Sequence, residues 1–397
     1  MLHIFGGLKD FINPSSGDDK PVVEGFVAKL HYRVTGLVLL VCCLLVTAIE
    51  YIGLGTHIDC IQDGLPDNWP IPSHVMNTYC FITSTFILPR HLEGPVGVGG
   101  KLYPGVGVEQ VGEDREYKSY YQWVPFVLFL QCCMFYVPHM LFKTWESGKV
   151  NGIISGLHQS EALVQEEERI TRHKALATYF VKSLNTHNIW ALKLYLADLL
   201  LLVNVIFNIY FIDFFLDGEF STYGFQVASF VDSDPMVRTD PMTRVFPRMT
   251  KCIYKKFGSS GTIQTHDALC LLPINVINEK IYVFLWFWLI ALATLTAISI
   301  LIHTAQILIP ALVSTWIKKK ARKRAGIQQS MNSISKELEL GDWKLLNVLS
   351  YNMAPIVLGE FITELAAQVA AQREKLEDTL EPSDSNENVR KPLLTPI

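Results

Sequence analysis

The amino-acid sequence predicts an all-α integral membrane protein, a four-transmembrane-helix subunit with disulfide-stapled extracellular loops and a helical cytoplasmic domain. Half of the 397 residues are hydrophobic, a share typical of chains with membrane spans. Four stretches have the apolar character and approximate length of a transmembrane helix, which needs about 20 residues. Four cysteines lie in the polar segments that join the first span to the second and the third to the fourth, and these loops can also hold short β-strands.

The fourth span, residues 281–302, is the clearest and gives the chain a direction. It carries no formal charge, and Tyr282, Trp286 and Trp288 lie near its start, as expected for aromatic rings at a membrane interface. Six Lys or Arg follow within residues 318–324, and such clusters stay in the cytoplasm. The C-terminal region is therefore predicted to be cytoplasmic.

The other three spans differ in strength. Residues 34–52 are uncharged up to Glu50, which would lie at one membrane boundary, and residues 120–142 carry no formal charge. The span at 194–216 is the weakest, because its uncharged core, residues 199–212, is short enough to be a buried soluble helix. The number of crossings favours a span here. An even number of spans places both termini on the same side of the membrane, so a cytosolic N-terminus and a cytosolic basic run after the fourth span require this segment to cross.

This topology divides the chain into cytoplasmic, membrane and extracellular segments, with both termini in the cytosol. The predicted segments are a cytoplasmic N-terminus (1–33), the first span (34–52), the first extracellular loop (53–119), the second span (120–142), a cytoplasmic loop (143–193), the third span (194–216), the second extracellular loop (217–280), the fourth span (281–302), a helical cytoplasmic region (303–380) and a disordered tail (381–397).

The cysteine positions agree with this orientation. Cys60 and Cys80 lie in the first extracellular loop, and Cys252 and Cys270 lie in the second. Disulfides persist on the oxidising side of a membrane. Four cysteines allow three pairings, and the residues alone do not choose among them. The bridges could simply hold the loops together, or they could make a rigid outer face that meets a partner.

The sequence favours neither an enzyme nor a nucleic-acid-binding protein. The formal net charge of −4 gives no support for nucleic-acid binding. The glycine-rich stretch 94–107 fails as a phosphate loop, because Leu102 follows Lys101 where Ser or Thr is needed. The spans hold no histidine or carboxylate set with metal-ligand spacing, and no His-x-x-x-His or Ser-x-x-Lys pattern lies at a plausible membrane depth. We therefore expect no catalytic residues, no cofactor and no metal.

The second span opens with Tyr120, Tyr121, Gln122, Trp123 and Val124. This motif, the pair of cysteines in each extracellular loop and the stretches 217–220, 246–252 and 278–288 resemble those of the innexins, the invertebrate gap-junction proteins, and most of all the insect members. In that family the motif at residues 120–124 is the signature. The resemblance covers residues 1 to about 350.

The resemblance implies a channel. Innexins form rings, with eight subunits per hemichannel, and two rings in apposed membranes dock through their extracellular loops. It implies the pairs Cys60–Cys270 and Cys80–Cys252, and it makes Glu50 a candidate for the electrostatics of the pore. It also implies that the N-terminal segment 1–12 forms a pore funnel. The funnel candidates are Leu2, Ile4 and Phe5.

The leading hypothesis is a gap-junction channel subunit of the plasma membrane that passes ions and small molecules between cytoplasms. Its implied partners are further copies of itself, other innexins and membrane lipid. The alternative is an undocked, pannexin-like hemichannel that releases small metabolites such as ATP across one membrane. A third hypothesis, a non-conducting adhesion or scaffold protein like the tetraspanins, is weakened because their Cys-Cys-Gly motif is absent.

Overall fold

The computed structural model describes residues 23–51, 57–63, 71–92, 101–154, 166–230, 240–321 and 326–380. The predicted funnel residues Leu2, Ile4 and Phe5 and the predicted tail at 381–397 lie outside these ranges.

The described chain is mainly helical, with two small sheets. The helices are α1 (Phe26–Tyr51), α2 (Ser73–Thr83), α3 (Val124–Glu146), α4 (Lys149–Ile154), α5 (Glu166–Lys182), α6 (Asn188–Phe215), α7 (Phe220–Phe230), α8 (Pro241–Val245), α9 (Pro273–Leu308), α10 (Pro310–Lys320), α11 (Ile327–Ile334), α12 (Leu340–Asn352) and α13 (Pro355–Leu380). The strands are β1 (Asp59–Ile61), β2 (Thr85–Ile87), β3 (Lys101–Tyr103), β4 (Val106–Gly107), β5 (Glu116–Lys118), β6 (Met249–Phe257) and β7 (Ile263–Leu271).

Among the described residues, four helices, α1, α3, α6 and α9, are long and apolar enough to cross a membrane. Each overlaps one predicted span, but α1, α6 and α9 begin six to eight residues before it, and α3 begins at Val124 rather than at residue 120. Helix α1 begins at Phe26 rather than at residue 34, and it includes a π-helical stretch, Leu30–Thr35. The extension is stabilised by polar contacts to α9. His31 Nε2 lies 2.8 Å from Thr296 Oγ1, and the indole N–H of Trp288 donates to Thr35 Oγ1 at 2.9 Å.

Helix α9 has 36 residues and starts at Pro273, eight residues before the predicted span. Its first turns carry Asn275, Asn278 and Glu279, all of which are buried. The side-chain amide of Asn275 donates to the carbonyl of Pro247 at 2.7 Å. A hydropathy pattern marks only the apolar part of such a helix, because a buried polar residue with a partner costs little.

The larger sheet lies in the two connecting segments in which the sequence allows short β-strands. Its five antiparallel strands have the order β1-β7-β6-β2-β5, and β3 and β4 form a separate pair. Strands β1, β2 and β5 come from the segment between α1 and α3, whereas β6 and β7 come from the segment between α6 and α9. The two connecting segments therefore share one sheet.

The chain forms two compact units. The span-and-sheet unit comprises the described parts of Glu24–Thr144 and Leu196–Leu301, and the helical unit comprises those of Trp145–Tyr195 and Ile302–Ile397. In the span-and-sheet unit, an aromatic cluster fills the region where the sheet meets the long helices. The ring of Phe246 lies 5.4 Å from that of Tyr282 and 5.9 Å from that of Tyr223.

In the helical unit, α13 packs against α5 and α11, and α10 packs against α12. A buried pair joins the start of α6 to α12, with His187 Nδ1 2.8 Å from Asp342 Oδ1. Asp342 also accepts a hydrogen bond from the backbone N–H of Asn185 at 3.0 Å. The neighbouring Gly341 permits this approach, because a Cβ there would lie 2.3 Å from the carbonyl carbon of His187.

Candidate functional site

The larger sheet is built around the β6–β7 hairpin. These strands have nine residues each and pair over their full length, from Met249↔Leu271 to Phe257↔Ile263. The flanking strands are short. Strand β1 pairs only with the last three residues of β7, and β2 meets β6 through Phe86↔Lys251. The distal half of the hairpin therefore extends beyond the strands that flank it.

Two disulfides join the segments at the base of the hairpin. Cys60 and Cys270 are directly opposed residues of β1 and β7, with Cα atoms 4.0 Å apart, and their sulfurs are bonded. Cys80 lies on α2 and is bonded to Cys252 of β6, with Cα atoms 5.9 Å apart. This is the same pairing that the family resemblance implies. Residues far apart in the sequence are thus linked in one small region.

The two bridges lie next to each other in a closed core. All four cysteines are buried, and the sulfurs of Cys60, Cys80 and Cys270 lie within 4.8 Å of one another. Because each of these sulfurs already belongs to a disulfide, the cluster is not a metal site. On α2, the side-chain oxygen of Asn77 accepts a hydrogen bond from the backbone N–H of Cys60 at 2.9 Å. Helix α2 is therefore fixed to β1 and β6 together.

The far end of the hairpin exposes an apolar pair. Phe257 is 77% exposed and Ile263 is 65% exposed, and they are cross-strand partners. Large apolar side chains at the tip of a rigid hairpin are typical of contact surfaces. Sequence reasoning missed this feature. Two nine-residue segments on either side of the turn-forming stretch 258–262, which contains Gly258 and Gly261, were the available signal.

The signature residues lie in a 3₁₀ turn, Tyr120–Gln122, and at the start of α3. Tyr120 packs edge-on against Phe246, with ring centroids 5.6 Å apart, and Tyr121 packs against Phe81 at 5.4 Å. Burial raises the pKa of both tyrosine hydroxyls, so both remain neutral at physiological pH. The two rings therefore contact both connecting segments.

The remaining signature residues differ in their surroundings. The side-chain amide of Gln122 donates to the backbone carbonyl of Phe81, and Val124 is fully buried. Trp123 is 59% exposed, a position that suits a tryptophan at a membrane interface. The arrangement is one of packing and anchoring.

An ion pair with a buried carboxylate ties the second connecting segment to α9. Glu279 is 1% exposed, and both of its oxygens accept hydrogen bonds from the Arg248 guanidinium, at 2.9 to 3.2 Å. Lys280 Nζ also lies 2.9 Å from Glu279, and Asp240 lies 3.6 Å from Arg248. A bidentate arginine–carboxylate pair is among the more stable ionic contacts. It holds β6 close to the start of the helix.

Glu50 lies in the last turn of α1 and is 7% exposed. Among the described residues, no hydrogen bond links its carboxylate to the disulfide cysteines or to the signature tyrosines. Its carboxylate is covered within a single subunit, so any effect of Glu50 on a pore would act through its charge rather than through direct contact with solutes.

Comparison with known proteins places the chain in a family. The innexin family model matches residues 24–369. The chain is 42% identical over 371 residues to innexin inx2 of Drosophila melanogaster, which covers 93% of this chain and 96% of that protein. It is 41% identical over 370 residues to innexin inx2 of Schistocerca americana, covering 93% and 98%. With innexin shaking-B of Drosophila melanogaster the identity is 37% over 367 residues, covering 92% and 94%. The chain therefore belongs to the innexin family, whose members are membrane subunits of gap-junction channels and not enzymes.

Proposed function

We propose that eight copies of this chain form a hemichannel that docks with a hemichannel of a neighbouring cell and passes ions and small molecules between the two cytoplasms. Both termini lie in the cytosol, and the disulfide-linked sheet lies outside the cell. Other innexins can join the same channels. The single observation that carries this proposal is the shared sheet, in which two connecting segments of an innexin chain are fixed by two buried disulfides.

The hairpin tip is the proposed docking contact. A docking surface has to hold its shape before contact, because ordering flexible loops costs free energy at the moment of binding. The disulfides fix the base of the hairpin, and the paired strands carry Phe257 and Ile263 outward from it. We assign the apolar pair to the extracellular loops of a second copy in the apposed membrane.

The proposed pore is formed by the N-terminal segment and the region around the first span. Leu2, Ile4 and Phe5 are the proposed funnel residues, and Glu50 supplies negative charge near the pore. A wide aqueous pore needs no tight selectivity filter, since polar walls and rings of charge are enough to bias the ions that pass. Glu50 lies in the last turn of α1, at the end of the first span.

Docking is tested by dual voltage clamp on paired cells that lack other gap-junction proteins and express only this chain. We expect junctional conductance with the wild type and its loss in the double variant Phe257→Ser/Ile263→Ser. Surface delivery and single-membrane currents should survive in that variant, because the tip lies beyond the disulfides. Ile356→Ser is the matched control, since Ile356 is a 64% exposed apolar residue of the helical unit.

The same recordings separate the alternative. Large single-membrane currents without coupling in wild-type pairs, also when a second innexin is co-expressed, would favour the undocked hemichannel and overturn the docking proposal. Cell adhesion without either current would favour a scaffold. Full coupling by the hairpin variant would leave the channel proposal intact and remove the hairpin from it.

A further inference from the structure

Helix α10 carries an exposed apolar row that the channel function does not use. Leu312 is 44% exposed and Trp316 is 56% exposed, and just before the helix Leu308 is 74% and Ile309 is 51% exposed. Leu312 and Trp316 are four residues apart, so they share one face of α10, and Leu308 and Ile309 lie at the junction just before it. These four residues are the exposed apolar row, and large apolar side chains exposed together indicate a contact with an apolar phase or a partner.

The opposite face of α10 fixes the helix to its own unit. Val313, Ser314 and Ile317 are buried, and α10 packs on α11 and α12. The helix therefore already has a face that packs inside its own unit, and the exposed row is additional to that face. A helix with one face in the protein and another apolar face outside it has the arrangement of a helix that lies in a membrane interface.

The chain reaches this helix directly from a span. Helix α9 ends at Leu308, and Ile309 leaves the helical conformation with φ −126° and ψ 81°. Pro310 then opens α10, as proline suits the first position of a helix. Ile302 of α9, in the same unit, is also 52% exposed. The exposed apolar row thus follows directly in the chain on a helix that is long and apolar enough to cross a membrane.

The last turn of α10 is basic. It contains Lys318, Lys319 and Lys320, and Lys319 is exposed. Lys320 Nζ lies 4.4 Å above the ring of Tyr351, and Lys318 donates to Asn332 Oδ1 at 3.3 Å. Arginine and lysine at helix ends place their charge at the headgroups while the stem covers apolar surface. The cytoplasmic leaflet carries the anionic lipids that attract such residues.

We propose that α10 is an interfacial helix that binds anionic phospholipid of the cytoplasmic leaflet, with Leu308, Leu312 and Trp316 among the acyl chains and Lys318–Lys320 at the headgroups. The charge at the end of the apolar row and its continuity with α9 favour lipid over a second protein. The cytoplasmic side of this helix rests on the orientation proposed above, whereas its contact with lipid is tested independently of coupling.

The test uses the full-length channel in lipid nanodiscs. Acyl-chain brominated phosphatidylserine or brominated phosphatidylcholine is included at the same mole fraction, and tryptophan fluorescence is recorded. The chain has eight tryptophans, so the Trp316 component is obtained as the difference between the wild type and Trp316→Phe. Bromine quenches only at close range, so the quenched fraction of this component reports contact with lipid.

We expect brominated lipid to quench the Trp316 component, with brominated phosphatidylserine more effective by about twofold or more. The triple variant Lys318→Gln/Lys319→Gln/Lys320→Gln should remove that preference and keep the quenching. Lys336→Gln is the control, because it removes an exposed cation of the same unit outside α10. Elution of all variants as wild-type-sized particles shows that they assemble.

Two results would overturn the proposal. An unquenched Trp316 component would show that something other than lipid, such as a neighbouring subunit, covers the row. Equal quenching by both lipids, unchanged by the lysine variant, would remove the anionic selectivity. Coupling between cells can persist in either case, so failure here differs from failure of the docking proposal.

Discussion

Removing one disulfide while keeping the other is expected to lower the free energy of unfolding of the span-and-sheet unit. The size of the loss depends on the length of chain that the missing bridge closes. The paired cysteines are 210 and 172 residues apart, and the chain-entropy relation gives about 5 kcal/mol for an isolated loop of either length. The loops are not isolated, however. With one bridge intact, the other closes only a ring made of residues 60–80 and 252–270, which is about 40 residues, so its loss costs about 4 kcal/mol.

We therefore expect the loss of either bridge to lower the free energy of unfolding by a similar amount. We compare Cys60→Ser/Cys270→Ser with Cys80→Ser/Cys252→Ser in purified channels, using thermal unfolding of the assembled particle. A loss of about 4 kcal/mol lowers the melting temperature by roughly 10 °C for a unit of this size. Cys133→Ser is the control, because Cys133 is a free, exposed cysteine. Melting temperatures that match the wild type in both double variants would refute the reasoning.

Double variants are needed because the bridges are neighbours. Cys252→Ser leaves the Cys80 thiol within 4.8 Å of both sulfurs of the other bridge, where its thiolate can attack one sulfur and release the other. Cys80→Ser instead leaves Cys252, whose sulfur lies outside that cluster. Non-reducing peptide maps should show exchanged pairs in the first variant and the intact Cys60–Cys270 pair in the second. Identical maps would contradict the proximity argument.

Three further predictions concern single positions. Glu50→Gln should lower the ratio of cation to anion permeability, measured from reversal potentials, because it removes an acidic group and keeps the side-chain shape; an unchanged ratio would exclude Glu50 from pore electrostatics. Burial lowers the pKa of His57 below its ordinary value of 6.5. Below about pH 6.5 the unfolded chain therefore binds a proton that the folded chain does not, and the free energy of unfolding falls as the pH falls. His57→Gln should flatten this acid dependence of the melting temperature, and an unaltered pH profile would count against it. Gly224→Ala should destabilise the channel by about 1–3 kcal/mol, since the new Cβ would lie 2.0 Å from the Trp286 ring, whereas Gly25→Ala, which meets nothing within 4 Å, should be silent in the same melting assay.

The sequence was informative where a pattern is long and uniform. Three long apolar runs, and a shorter one that the number of crossings supported, are sufficient to place four long helices, because a long apolar stretch has few other stable environments. The ends of those helices could not be read in the same way. Asn275 and Glu279 look like loop residues by hydropathy, yet each is buried in α9 with a partner that comes from the preceding segment. Their environment depends on tertiary contacts that no local pattern contains.

The sheet shows the same limit. Four cysteines in two polar segments predicted disulfides in those segments, and the resemblance supplied the pairing that connects the two segments. The β6–β7 hairpin was not predicted, because Lys255 and Lys256 in a row interrupt the alternation of apolar and polar residues that marks a strand. A segment of its length can also be an irregular loop. Helix α10 was likewise hidden, since the exposure of Leu312 and Trp316 is visible only when the buried face of the helix is known.

The position of the signature explains why it carries no chemistry. Tyr120 contacts Phe246 of the second connecting segment, and Tyr121 contacts Phe81 on α2 of the first. Both tyrosines directly precede α3, so each ring joins one of the connecting segments to that span. A docking surface that is held together only by disulfides could still tilt on its spans, and the Arg248–Glu279 pair and these two rings oppose that movement. We infer that the signature preserves the orientation of the hairpin, which a docking contact requires as much as its shape.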